Sequence, residues 1–110
     1  MTVSDFILNR IRGMIGDSLT PYRWTEATVV NYLNEAREKL FSSHPEAFYV
    51  SEIVVSYPGD LLAESALDVL FDYRSSLANY TAYRTLTEDS EDPENRKNAQ
   101  DYLAKFMAGV

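Results

Sequence analysis

Apolar residues in this chain recur mostly three and four positions apart, the spacing that lines one face of an α-helix. Over residues 5–15, Ile7, Ile11, Met14 and Ile15 form such a stripe. Ser4 is the expected N-cap, and Gly16 follows the stripe where a left-handed residue closes many helices. Residues 26–41 repeat the pattern with Val29, Leu33, Ala36 and Leu40, flanked by Val30 and Tyr32. Thr25 is the expected N-cap of this helix, and Trp24 and Val29 hold the two positions of a hydrophobic staple. Glu35 and Lys39 stand in the favourable i, i+4 order for an ion pair. The His44–Pro45 step ends the helix, because the residue before a proline avoids α backbone.

The pattern then changes. Phe48, Tyr49, Val50, Ile53, Val54, Val55 and Tyr57 are β-branched or aromatic, and Pro58–Gly59 closes the stretch, so residues 46–58 read as a short extended or β segment. From residue 61 the helical spacing returns and predicts a third helix over 61–86, uninterrupted by Gly or Pro. Leu62, Ala66, Val69, Leu70, Tyr73, Leu77 and Tyr80 form one face, with Leu67, Phe71, Ala78 and Ala82 beside it. The combined arc spans roughly 220°, where a surface helix needs only about 100°. Such a helix would be a rod of about 40 Å, longer than the roughly 34 Å diameter of a compact domain of this size. It is expected to be central or shared with a partner. Arg74 and Arg84 fall within the arc, and a buried cation needs a partner, across the bundle or across a subunit boundary. A fourth helix is expected over 93–107, with Asp92 as N-cap, Pro93 at the first position and Ala99, Tyr102, Leu103, Phe106 and Met107 in period. The elements predict an all-α bundle of about four helices, one domain spanning 1–110.

Composition narrows the chemistry. The net charge is −7, from 17 acidic and 10 basic residues, and five of the acids fall between Glu88 and Glu94. The rest of the chain is nearly balanced. An acidic chain is poorly suited to gripping nucleic-acid phosphates. Cysteine is absent, which excludes disulfides, thiolate metal sites and a cysteine nucleophile. The 88–94 acids lack the ligand spacing and glycine of a calcium loop, so they read as a solvated loop that also caps the next helix. His44, the only histidine, sits at a helix end with no nucleophile motif beside it. Asp68 and Asp72 are four apart on the polar face of the expected third helix and read as solvated. Asn34, at the edge of an apolar face, is expected to bond a nearby loop backbone. No catalytic, cofactor or metal site is expected, and no enzyme. No apolar run approaches the length of a membrane span, and the first residues do not form a signal peptide.

Tyr22-Arg23-Trp24-Thr25, followed by Tyr32-Leu33-Asn34-Glu35-Ala36 with Trp24 and Leu33 nine apart, resembles the opening of bacteriophage head–tail adaptor (connector, head-completion) proteins. Tyr80, Ala82 and Tyr83, the Asp92-Pro93-Glu94-Asn95 loop, and Ala99, Tyr102 and Phe106 are similar to that family's C-terminal half. The likeness covers residues of about 5–41 and 68–107; the short middle segment departs from relatives that carry a longer hairpin or arm. The resemblance implies a structural virion subunit that assembles into a homo-oligomeric, dodecameric ring between portal and tail. DNA would pass through the lumen without specific binding. It implies the neck of the virion as the site of action and the host cytoplasm during assembly. The alternative is a small acidic regulatory protein binding a single host or phage protein.

For an assembly subunit, the expected interface residues are Tyr49, Ile53, Val55, Arg74, Arg84, Phe106 and Met107. Trp24, Leu33, Ala36 and Leu77 are the expected core. Eight tyrosines suit such interfaces, each offering apolar area and a hydroxyl. The loop acids are candidates for a neighbouring chain's basic residues.

Overall fold

The computed structural model describes residues 1–49, 56–89 and 91–109, and shows a small all-α bundle. Helix α1 covers residues 3–14: an α-turn Val3–Phe6, a π-helical stretch Ile7–Ile11 and a last turn Arg12–Met14. Helix α2 is Glu26–Ser43, α3 is Arg74–Thr87 and α4 is Pro93–Met107. Single 3₁₀ turns at Pro45–Phe48 and Phe71–Tyr73 flank the connection between α2 and α3. Among the described residues there is no strand, only an isolated antiparallel bridge between Thr2 and Ala66.

Local chemistry accounts for the helix ends. Thr2, not Ser4, caps α1. Its hydroxyl accepts from the Asp5 amide while the Asp5 carboxylate accepts from the Thr2 amide, a reciprocal capping box. The amides of Val3 and Ser4, orphaned at a helix start, donate to the carbonyls of Ser65 and Ala63 at 2.9 and 2.8 Å. Thr25 caps α2 by accepting from the Thr28 amide. Asp92 caps α4 through the amides of Glu94 and Asn95. Gly16 closes α1 at φ 67°, a backbone region that side chains with a Cβ rarely adopt. His44 is the C-cap of α2.

The core joins the inward stripes of three helices: Val3, Phe6, Ile7, Ile11 and Ile15 from the first; Val29, Leu33, Ala36 and Leu40 from the second; Leu77, Ala78, Ala82 and Leu86 from the third. Trp24, Leu33, Ala36 and Leu77 all lie within it. Helix α3 is central, packed against α2 on one side and α4 on the other. Its buried hydroxyls are satisfied locally: Thr81 donates to the Leu77 carbonyl and Thr85 to that of Thr81, both at 2.8 Å. Helix α4 is peripheral. Only Ala99 is fully buried, while Tyr102 and Phe106 pack half-buried against the core.

The long third helix expected over 61–86 is not formed. Regular α-helix begins only at Arg74, after a 3₁₀ turn, so there is no 40 Å rod. Residues 61–70 run as an irregular strap over α1 and α2 instead. Their apolar residues alternate rather than recur every third or fourth position: Leu67 and Val69 are buried, while Asp68 between them turns to a buried arginine. Leu62 and Phe71, placed on the apolar arc by the helical reading, are 64% and 79% exposed. The wide apolar arc that remains on α3 is covered within the chain. In the expected extended segment, Pro45–Phe48 is a 3₁₀ turn, residues 50–55 lie outside the described residues, and 56–58 carry no regular structure.

Candidate functional site

Two buried arginines organise the polar interior. Arg37, on α2, is fully buried. Its Nε and Nη2 donate to the two carboxylate oxygens of Asp68 at 2.9 and 2.5 Å, the paired geometry that suits a planar guanidinium. Its Nη1 donates to Asn34 Oδ1, the Tyr57 hydroxyl oxygen and the Gly59 carbonyl at 2.8, 3.0 and 2.8 Å. Asn34, one helical turn earlier, grips the strap on both sides of Leu61: its Nδ2 donates to the Leu61 carbonyl and its Oδ1 accepts from the Leu61 amide, each at 2.8 Å. The expected bond from Asn34 to a loop backbone is therefore present. Asp68, read as a solvated helix residue, is instead the counter-ion of Arg37.

The second cluster stands at the other end of α2. Arg12 donates through Nη1 to Asp17 Oδ2 at 2.8 Å and to the Trp24 carbonyl at 2.6 Å, and stacks on the Tyr22 ring at 4.0 Å. Asp17 also accepts from the amides of Arg23 and Trp24. The Tyr22-Arg23-Trp24 stretch is thus the fold's entry into α2, held by a buried ion pair. Neither Arg12 nor Arg37 was singled out by the apolar pattern. The available signal was position: Arg12 follows Ile11, and Arg37 lies one turn after Leu33, both at the margin of a buried stripe.

A surface ion pair ties α3 to α2. Arg84 Nε donates to both oxygens of Glu35 at 3.0 and 3.1 Å, and its guanidinium lies over the Tyr32 ring. Burial lowers the Arg84 pKa, but the neighbouring Glu35 carboxylate outweighs it and the net shift is upward. The partner expected for Arg84 is in the same chain, and Glu35 is turned to it instead of to Lys39. Burial, and then a 2.6 Å hydrogen bond to Glu88, push the Tyr32 phenol up to about 12. Burial likewise pushes Tyr57 up to about 12, with the bond to Asp60 adding to it against the opposing charge of Arg37. Glu46 is held below the usual carboxylate range, chiefly by its own backbone amide and then by His44 and Tyr73.

The loop acids are largely engaged within the chain. Asp89 pairs with Arg23 and accepts from Asn95, Glu88 accepts from Tyr32, and Asp92 caps α4. Among the described residues, no group of three or more ligating side chains is placed to hold a metal. No described helix is long and apolar enough to cross a membrane.

The expected interface residues divide. Arg74 Nε donates to the Val69 carbonyl at 3.0 Å, closing the strap onto the start of α3. Phe106 meets Tyr80 edge-on at 4.9 Å and is half-buried. Tyr49 is half-buried. Ile53 and Val55 lie outside the described residues. Of the five described, Met107 alone presents a large exposed apolar side chain, at 76%. Leu8, Leu19, Leu62 and Phe71 join it as exposed apolar residues that helical periodicity did not single out for an interface.

An open groove lies between the N-terminal half of α2 and the strap, with a volume of about 450 Å³. Ala27, Val30, Leu61, Leu62 and Ala63 supply its apolar lining, and Glu26, Asp60 and Glu64 its charged rim. At the opposite end of α2, Met107 sits beside Leu40, Ser43, His44 and Ser76. Comparison with protein-family models, curated proteins and solved structures yields no match.

Proposed function

We propose that this protein is a structural assembly subunit, a head–tail adaptor that forms a ring between portal and tail and lets DNA pass through its lumen. The observation that carries the reading is the ordered motif pair of the sequence, Tyr22-Arg23-Trp24-Thr25 and Tyr32-Leu33-Asn34-Glu35-Ala36. Its residues here build the entry, the face and the strap clamp of α2. Exposed Leu62, Phe71 and Met107 favour an interaction role, since each leaves apolar area that a partner surface would remove from water. The wide apolar arc of α3 is covered inside the chain and adds nothing to an assembly role.

Light scattering of the protein alone and with portal protein tests the proposal. A ring-sized species, formed alone or only on portal, is expected. A persistent small species with portal present would favour the acidic regulatory protein instead.

A further inference from the structure

A guanidinium presents a paired edge, Nε–H beside Nη2–H, that matches the two oxygens of a carboxylate. In Arg37 that edge holds Asp68. In Arg12 it is empty. Arg12 is 3% exposed, yet it donates only through Nη1, to Asp17 and to the Trp24 carbonyl. Among the described residues its Nε and Nη2 have no acceptor. Asp17 is fixed at Nη1, because its oxygens also accept from the amides of Arg23 and Trp24.

A buried donor without an acceptor is costly unless water or a ligand reaches it. Among the described residues no side-chain nitrogen is both shut off from solvent and unpartnered, so the free edge of Arg12 keeps an opening. Arg12 lines a cleft of about 180 Å³ between the first turns of α1 and the start of α2. The Tyr22 ring, stacked on the guanidinium at 4.0 Å, lines the same cleft. Ile7 and Leu8 add aliphatic area, and Ser4 and Glu26 complete the lining.

The two charged residues of the cleft are of opposite sign. Glu26 is exposed, accepts from Ser4 Oγ at 3.3 Å, and forms no ion pair among the described residues. A bare anion drawn to Arg12 would meet this carboxylate, whereas a molecule carrying both a carboxylate and an ammonium would satisfy both walls. The cleft is smaller than the roughly 300–1,000 Å³ that drug-sized ligands occupy, so it suits a molecule of few heavy atoms.

We propose that this cleft binds a small aliphatic α-amino acid. Its carboxylate lies on the Nε–Nη2 edge of Arg12, its ammonium at Glu26, and its side chain against Ile7, Leu8 and the Tyr22 ring. The site stands independently of the ring reading.

L-leucine is the probe, added to the isotope-labelled chain and followed by nitrogen–proton correlation spectra that resolve arginine Nε–H groups. The Arg12 Nε–H is expected to shift and to saturate with a Kd of about 1 mM or tighter. The Arg37 Nε–H, already held by Asp68, should stay in place and serves as the internal reference. Isoamylamine, which lacks the carboxylate, should bind at least about tenfold more weakly. Isocaproate, which lacks the ammonium, should bind about fivefold more weakly, the scale of one exposed ion pair. Glu26→Gln replaces an exposed side chain, and circular dichroism verifies its fold. This variant should bind L-leucine about fivefold more weakly and no better than it binds isocaproate. An Arg12 Nε–H that stays fixed at about 10 mM L-leucine overturns the site. Equal affinity for L-leucine and isocaproate, or L-leucine binding indifferent to Glu26→Gln, overturns the zwitterionic ligand.

Discussion

At the scale of single residues, the fold depends on two guanidiniums in places where a cation is costly. Arg37 is fully buried and has a partner for each of its donor nitrogens, so the cluster is stable only as a set. Arg37→Ala strands Asp68 and uncouples Tyr57 and the Gly59 carbonyl. Urea denaturation should show a loss of about 3–5 kcal/mol, whereas Tyr57→Phe, which removes one hydroxyl, should cost about 1 kcal/mol. Tyr32 and Tyr57 supply a pH signature. Their folded values, about 12 against an ordinary 10, mean that the folded state favours the protonated phenols. Their contribution to stability is fully present below about 10 and is lost as pH rises from there towards 12. Ultraviolet titration of tyrosinate should show a late-ionising fraction that vanishes in denaturant; simple titration of every tyrosine near 10 in the folded protein would contradict it. These arginines were hard to find in the sequence because a charge at the margin of an apolar stripe looks like a solvated one. The counter-ion of Arg37, Asp68, lies 31 residues away, and that of Arg12, Asp17, lies five residues on and past the end of α1, so helical spacing marks neither.

At the scale of elements, α2 and α4 were legible because their caps are written locally, and α1 from its apolar stripe although Thr2 rather than Ser4 caps it. Thr25 and Asp92 bond the first-turn amides expected of them, and α4 spans the expected residues 93–107. The third helix misled for an instructive reason. Residues 61–70 have acceptable helical spacing, yet their backbone groups bond the start of α1, Asn34 and the Ala47 carbonyl, contacts that lie from 23 (Leu70 to Ala47) to 66 (Leu67 to Met1) residues away in sequence. Long-range partners overrode local periodicity. Element stability should follow burial. Asp92→Ala removes a cap worth about 1 kcal/mol, whereas Leu77→Ala empties a site in the central helix and should cost about 2–5 kcal/mol. Hydrogen exchange should find the amides of α3 protected most and those of α4, with one fully buried side chain, opening at lower free energy. Equal protection of α3 and α4 would contradict the peripheral placement.

At the scale of the whole molecule, the chain closes its own core and still leaves apolar side chains at its two ends. The long dimension is 42 Å, with Leu62 beside the N-terminal half of α2 and Met107 beside its C-terminal end. The exposed apolar sites were only half legible in the sequence. Met107 could be named because it continues the period of α4. The groove could not, because it exists only after the strap folds back over α2 and brings Asp60 and Glu64 beside Glu26. Electron microscopy of the protein mixed with portal protein tests the assembly claim most directly. The expected images show portal particles carrying an added closed ring of small subunits on one face. Bare portals beside a protein that stays monomeric at every concentration would contradict it.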